Sequence, residues 1–299
     1  MQRPGKVEQQ AILEQDEDQT AGGRSHERAL SGNLFVSLAG NACIMTFRQT
    51  ASPVNILLFN RGCTMSGKPI EIGLLFFPGM TQLDVTGPFE VFARLPNVRM
   101  HLLWKRIEPV ISDVGLPLLP TTTFADCPDL DVFCIGGGPG LVDFLGDDEV
   151  IAFVRDKGGS ARYVTSVCAG CLIVGAAGLL DGYKSACHWL MSEQLAAFGA
   201  IAVDERVVID RNRISGGGVT AGIDFGFQVA SELCGEEVAK KLQLMLEYQP
   251  QPPFDITVQN APPEMLSQMR LEAEPWLRKR AAAVQKAALK LKSKAMTAA

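Results

Sequence analysis

From residue 71 onward the chain alternates short apolar runs with stretches of helical spacing, and few folds accept that rhythm. The runs EIGLLFF (71–77), RMHLLW (99–104), DVFCIGGG (131–138) and RYVTSV (162–167) read as buried strands. TGPFEVFARL (86–95), DDEVIAFVRDKG (147–158) and CAGCLIVGAAGLLDG (168–182) read as helices, the last apolar on every side and stopped by Gly182. Strands separated by helices at roughly 10–15 residue intervals predict a largely parallel sheet with helices on both faces. The fold class is α/β, a flavodoxin-like three-layer sandwich. VISDVGLPLLPTTTF reads as a hairpin turning at Gly115, and YKSACHW (183–189) as a short strand with His188 at its end. MSEQLAAFG reads as a helix stopped by Gly199, and AIAVDERVVIDRNRISGGG as strands turning at Asp210, Arg211 and Asn212. Two more helices, TAGIDFGFQVASELCG and EEVAKKLQLMLEYQP, close the domain, the second ended by Pro250.

The flanks differ. Residues 1–69 are rich in Gln, Glu, Asp and Ser without sustained periodicity, which predicts a mostly disordered extension before a domain over 70–254. Met65, just before the first strand, is a candidate alternative start. Over 255–299 the chain reads as a helical tail, with one increasingly basic helix at 264–294 that is expected to be solvated or dimer-packing. A net charge of −5 without a basic cluster over the centre argues against nucleic acid or an anionic membrane as partner. No apolar run approaches the roughly 20 residues of a membrane span. The eight cysteines are irregularly spaced and mostly lie inside apolar runs, which suits reduced thiols in a cytoplasmic setting. The first twenty residues also lack the pattern of a secretory signal.

In a sheet of this class ligands bind beyond the carboxyl ends of the strands. Four features fall there: Asp84 in the loop LDVTGP, the run Gly136-Gly137-Gly138, Cys168 directly after a strand, and His188 at the end of another. Cys168 sits where a strand turns abruptly into a helix, a placement that projects the side chain and favours a thiolate at the helix N-terminus. The N–H of Ala169, and one from Gly137 or Gly138, could meet charge developing on a substrate. Asp84 is the candidate proton donor and acceptor, with a raised pKa and a proton shared with the sulfur. His188 is a possible participant or an orienting group.

Other readings compete. Cys168 could be a buried structural thiol, and Asp84 a turn-forming carboxylate. A Cys168–Cys171 redox pair is disfavoured because Cys171 opens the apolar segment LIVGAAGLL, which should bury it. A zinc site from Cys168, Cys171, Cys187 and His188 is disfavoured because neighbours on a strand face opposite ways. No metal is expected.

LLFFPGMTQLDVTGPFEVFARLP, FADCPDLDVFCIGGGPG, ARYVTSVCAGCLIVGAAGLLDG, CHW and ISGGGVTAGIDFGFQVASEL together resemble the ThiJ/PfpI superfamily, with its class I glutamine-amidotransferase-like fold. Within it the likeness is strongest to the isocyanide-hydrating branch and runs from about residue 71 to 254. The resemblance implies a homodimer that uses no cofactor, with Cys168 as nucleophile and Asp84 as acidic partner. It implies a small-molecule isocyanide as substrate, hydrated to an N-substituted formamide through a cysteine thioimidate. Two positions depart from the branch: Ala169 stands where it has Thr, keeping the N–H and losing a hydroxyl, and Cys187 stands where it has Thr before His-Trp. A second branch fuses this domain to an AraC-type DNA-binding module, for which the 46 residues after Pro253 (299 − 253) are too few. A non-catalytic sensor, an accessory protein of isocyanide natural-product metabolism and a glyoxalase-like enzyme remain as rivals. A protease or glutaminase is disfavoured, since the PfpI pattern has His where Ala169 stands.

Overall fold

In the computed structural model the described residues are 67–298, together with an antiparallel pairing of Asn33–Leu34 with Met45–Thr46. The remaining expectations for the N-terminal extension, the start at Met65 included, lie outside the described residues. Seven strands form the main sheet: β1 (Ile70–Leu75), β2 (Val98–Trp104), β3 (Thr122–Thr123), β4 (Val132–Ile135), β5 (Tyr163–Val167), β6 (Val207–Asp210) and β7 (Arg213–Gly216). Their order is β6-β7-β5-β4-β1-β2-β3, parallel throughout except for the β6–β7 hairpin. The central strands are buried on both faces, as a parallel sheet covered by helices requires: all four residues of β4 and the last four of β5 are enclosed.

The helices are α1 (Leu83–Phe92), α2 (Leu141–Phe144), α3 (Asp148–Ser160), α4 (Gly170–Ala176), α5 (Ala221–Cys234), α6 (Glu236–Met245) and α7 (Pro263–Ala298). The α3 start shows how local chemistry sets a boundary. Asp147 accepts from the N–H groups of Glu149 (3.0 Å) and Val150 (3.1 Å), and Lys157 lies in the last turn, where the helix dipole favours a cation. The chain runs outward from β1 to β2 and β3, then returns to place β4 on the other side of β1. The direction therefore reverses between β1 and β4, which is where a doubly wound sheet opens a crevice.

Several elements differ from the sequence reading. Helix α1 begins at Leu83, so Asp84 lies in its first turn rather than in a loop, a favourable place for an acid. Helix α4 ends at Ala176, with Gly178 at φ +79 just beyond it, well before Gly182. Helix α6 likewise ends at Met245, short of Pro250. The strand expected over 183–189 shrinks to Lys184–Ser185, paired with Ile201–Ala202 outside the main sheet, so His188 arrives on irregular chain. Residues 192–198 form a 3-10 helix rather than an α-helix, ended at Gly199 as expected. The hairpin at Gly115 forms, Val110–Ile111 pairing with Pro117–Leu118.

The basic C-terminal helix is the largest departure. The N-terminal part of α7 is mostly exposed, but Arg280, Val284, Ala287 and Ala288 are buried and Leu291 packs on the core. Its C-terminal half is thus packed on the domain rather than solvated. Spacings of three and four residues along this stripe place Arg280 among the residues that face inward.

Candidate active site

Strand β5 ends at Val167, and Cys168 then takes φ +58, a left-handed conformation that costs any residue with a β-carbon. Neighbouring chain holds it there. Its N–H donates to the Gly216 carbonyl at the end of β7 (3.0 Å), and its own carbonyl accepts from the His188 N–H and from the Cys171 thiol, both at 3.3 Å. Gly170 opens α4 directly against the end of β4, where a β-carbon would collide with the Ile135 carbonyl oxygen. The elbow expected at Cys168 is therefore present, with the sulfur side chain 6% exposed.

Asp84 reaches the same point from the first turn of α1 and is fully buried. Its Oδ2 accepts the Gly137 N–H at 2.7 Å, while Oδ1 has no hydrogen-bond partner. Burial lifts the carboxyl to about 7, only partly opposed by the Gly137 N–H and by the Cys168 thiol beside it, with Asp113 adding a small upward push. The thiol approaches the carboxyl without the alignment of a formed hydrogen bond. Gly137 is therefore not the free oxyanion donor expected of it, because its N–H is committed to Asp84. Gly138, at φ +140 where a β-carbon would strike the Thr81 backbone, keeps an N–H with no partner among the described residues.

The expectation of a resting thiolate is corrected. Burial, then the neighbouring Asp84 and Cys187, pushes the Cys168 thiol well above its ordinary value, and the Ala169 N–H and Arg280 pull the other way without prevailing. A helix as short as α4 offers only a weak field, and the sulfur is cut off from water. In the free protein the proton thus stays on sulfur, and Asp84 is the group poised near neutrality to take it.

His188 is tied to the elbow through its backbone, and its Nδ1 accepts the Leu190 N–H at 3.3 Å, which leaves Nε2 as the ring's donor. Burial and the Arg280 charge lower its pKa, so it is neutral at pH 7. Cys171 is fully buried against the Cys168 carbonyl and Cys187, as its apolar surroundings predicted. Among the described residues no His, Cys, Asp and Glu form a group able to hold a metal ion.

One residue at this site went unnoticed in the sequence. Arg280 of α7 is fully buried, donates from Nη2 to the Gly138 carbonyl at 2.9 Å and from Nη1 to the Met191 sulfur, and lies over the Trp276 ring at 4.0 Å. The signal was available: stepping back from Val284 by four along the inward stripe lands on an arginine.

Residues 71–232 match the pattern of the DJ-1/PfpI family. The chain belongs to that family. Within it the chain is 48% identical over 223 residues to an isonitrile hydratase of Pseudomonas putida, a match covering 74% of this chain and 98% of that protein. The chain is also 27% identical over 190 residues to the HTH-type transcriptional regulator GbdR of Pseudomonas aeruginosa, a match covering 60% of this chain and 51% of the regulator. Among solved structures, a ThiJ/PfpI family protein from Pseudomonas syringae superposes with a TM-score of 0.71 at 41% identity, covering 76% of this chain and 99% of that one. Among the described residues no helix is long and apolar enough to cross a membrane.

Proposed function

We propose that this protein hydrates an isocyanide to an N-substituted formamide, with Cys168 as nucleophile and Asp84 as the proton carrier. The observation that carries the reading is the buried Asp84 carboxyl, lifted to about 7 beside the Cys168 thiol and held by Gly137. The 48% identity to an isonitrile hydratase over nearly its whole length supports the same substrate class. The near-complete burial of Cys168 adds a physical argument. The terminal carbon of R–N≡C sits at the end of a linear rod and can enter end-on, whereas a planar amide must present its face to the nucleophile.

Asp84 takes the Cys168 proton as sulfur attacks the terminal carbon, forming the C–S bond, and returns that proton to the same carbon. The product is the thioimidate R–N=CH–S–Cys168. Water then adds across C=N, Asp84 relaying its proton to nitrogen, and the tetrahedral R–NH–CH(OH)–S–Cys168 forms. The Ala169 and Gly138 N–H groups are the donors available to the oxygen. Collapse breaks the C–S bond, the hydroxyl proton returns to sulfur through Asp84, and R–NH–CHO leaves. Covalent capture divides one hard hydration into two easier steps. Thiol, carboxyl, water and isocyanide supply every atom, so the scheme calls for no cofactor.

The test is incubation of the purified protein with an aryl isocyanide while formamide is followed, beside Cys168→Ala. Formamide above the variant's background supports the proposal, and none above it overturns it in favour of a non-catalytic sensor. The homodimer belongs to the proposal too. The hairpin side chains Ile111, Val114, Leu116 and Leu119 are apolar and exposed, as an interface would require, and light scattering on the eluting protein checks it.

A further inference from the structure

A buried guanidinium is costly unless a carboxylate or a full set of acceptors compensates it. Arg280 has neither: among the described residues its partners are one carbonyl, one thioether sulfur and an aromatic face, and its Nε is buried with no acceptor at all. Stability alone would favour an apolar side chain at this point of the α7 stripe. What Arg280 touches gives the charge its meaning. The Gly138 carbonyl that it holds belongs to the turn whose preceding N–H, from Gly137, fixes Asp84.

We propose that Arg280 is a positioning residue of the Cys168–Asp84 site, clamping the 137–138 turn and biasing the sulfur toward its anionic form during attack. The inference rests on the reading of Cys168 as nucleophile. The groups that feel this charge are Cys168 at the elbow, Cys171 on α4, and Cys187 and His188 on the segment after it, while Asp84, with Asp113 behind it, acts on the Cys168 sulfur. Arg280 itself is lowered to about 10 by burial, an effect the three thiols oppose, and so it is charged at neutral pH. Cys168 and Cys171 keep their protons at neutral pH, and Arg280 has no carboxylate partner among the described residues, which leaves a cation waiting for negative charge. That charge arrives on sulfur when the proton passes to Asp84, and on the substrate oxygen near Gly138 in the hydration step.

The experiment titrates Cys168 without any isocyanide, so its result does not depend on turnover. Modification of Cys168 by methyl methanethiosulfonate is followed at the peptide level from pH 6 to 11. Thiolate absorbance, taken as the difference from Cys168→Ala, reads the same titration without requiring a reagent to reach the sulfur. Arg280→Met should move the midpoint up by about one pH unit, roughly a tenfold slower modification at any pH below it. Arg280→Lys should recover most of that, and Lys279→Met, exposed one position away, should change nothing. Thermal melting separates this from a structural role: Arg280→Met should melt no lower than the parent. Should Arg280→Met fail to fold, Arg280→Gln, which retains a donor for Gly138, carries the same prediction. Superimposed profiles for the parent and the neutral variant overturn the proposal. A wild-type protein that makes no formamide, yet shows the shifted profile, overturns the hydratase reading alone.

Discussion

The Gly137 N–H reaches Asp84 Oδ2 at 2.7 Å across 53 residues of sequence, joining the turn after β4 to the first turn of α1. This bond holds a carboxyl in a place where its ionised form is disfavoured. Asp84 goes from an ordinary 3.8 to about 7 on folding, so the folded state binds a proton there more tightly than the unfolded chain. The contribution of this one group is then greatest below pH 3.8 and is lost as pH rises to 7, by roughly 4 kcal/mol in all (3.2 units at 1.36 kcal/mol each). Asp84→Asn removes that loss. Denaturant melts should show the variant matching the parent near pH 4 and exceeding it increasingly up to pH 7, with a plateau above.

The same substitution should remove activity. General acid–base groups contribute about 10²–10⁴-fold, and a loss of that size in formamide production is expected of Asp84→Asn. In the parent, kcat/KM should rise with pH around 7 as Asp84 becomes able to accept the thiol proton, and this limb should vanish in the variant. A limb that persists in Asp84→Asn assigns it to another group.

Cys168→Ala and Cys168→Gly both lose the nucleophile, yet they should differ in stability. Alanine must hold φ +58 and glycine adopts it freely, so Cys168→Gly should be the more stable of the two by about 1 kcal/mol. Equal unfolding midpoints would place the strain elsewhere.

Gly170→Ala should be far more damaging than an ordinary helix substitution. The added carbon would run into the Ile135 carbonyl oxygen, which is backbone and cannot step aside, and a loss of about 3 kcal/mol or more is expected in denaturant unfolding. The damage should extend to turnover, because α4 cannot shift without carrying the Cys168 elbow with it.

Ala169→Thr introduces the hydroxyl that the resemblance to the isocyanide-hydrating branch leads one to expect at this position. Ala169 is fully buried and packs beside Gly137, so the two added heavy atoms should cost about 1–3 kcal/mol. Turnover should nevertheless rise, since the hydroxyl sits next to the sulfur and can steer the water or the proton. Falling turnover at retained fold would show that this chain works as it stands.

Much of the architecture was legible because buried parallel strands announce themselves as apolar runs, as VFCI in β4 does. The placement of Gly137 and Cys168 just after strand ends followed from that pattern alone, whereas Asp84 lies in the first turn of α1 rather than in a loop. Two things did not follow. Periodicity cannot tell which glycine N–H is already spent, so Gly137 and Gly138 looked equivalent until Asp84 claimed one. Nor does a residue's type reveal its direction: Arg280 lies in the basic run RKRAAAVQK, and its neighbours suggested a solvated face. Only the stripe through Val284, Ala287 and Ala288 marks it as inward. The thiolate was misjudged for a related reason, since burial around the sulfur is set by segments far apart in the chain.

The packing of α7 has a consequence for how the protein comes into being. A chain emerging from the ribosome possesses the sheet, the elbow and the acid long before its final helix exists. Throughout that interval the Gly138 carbonyl lacks its buried partner, because the last element made is the one that brings Arg280 against it. Translation that stops early would release a domain whose 137–138 turn has lost the guanidinium that holds it.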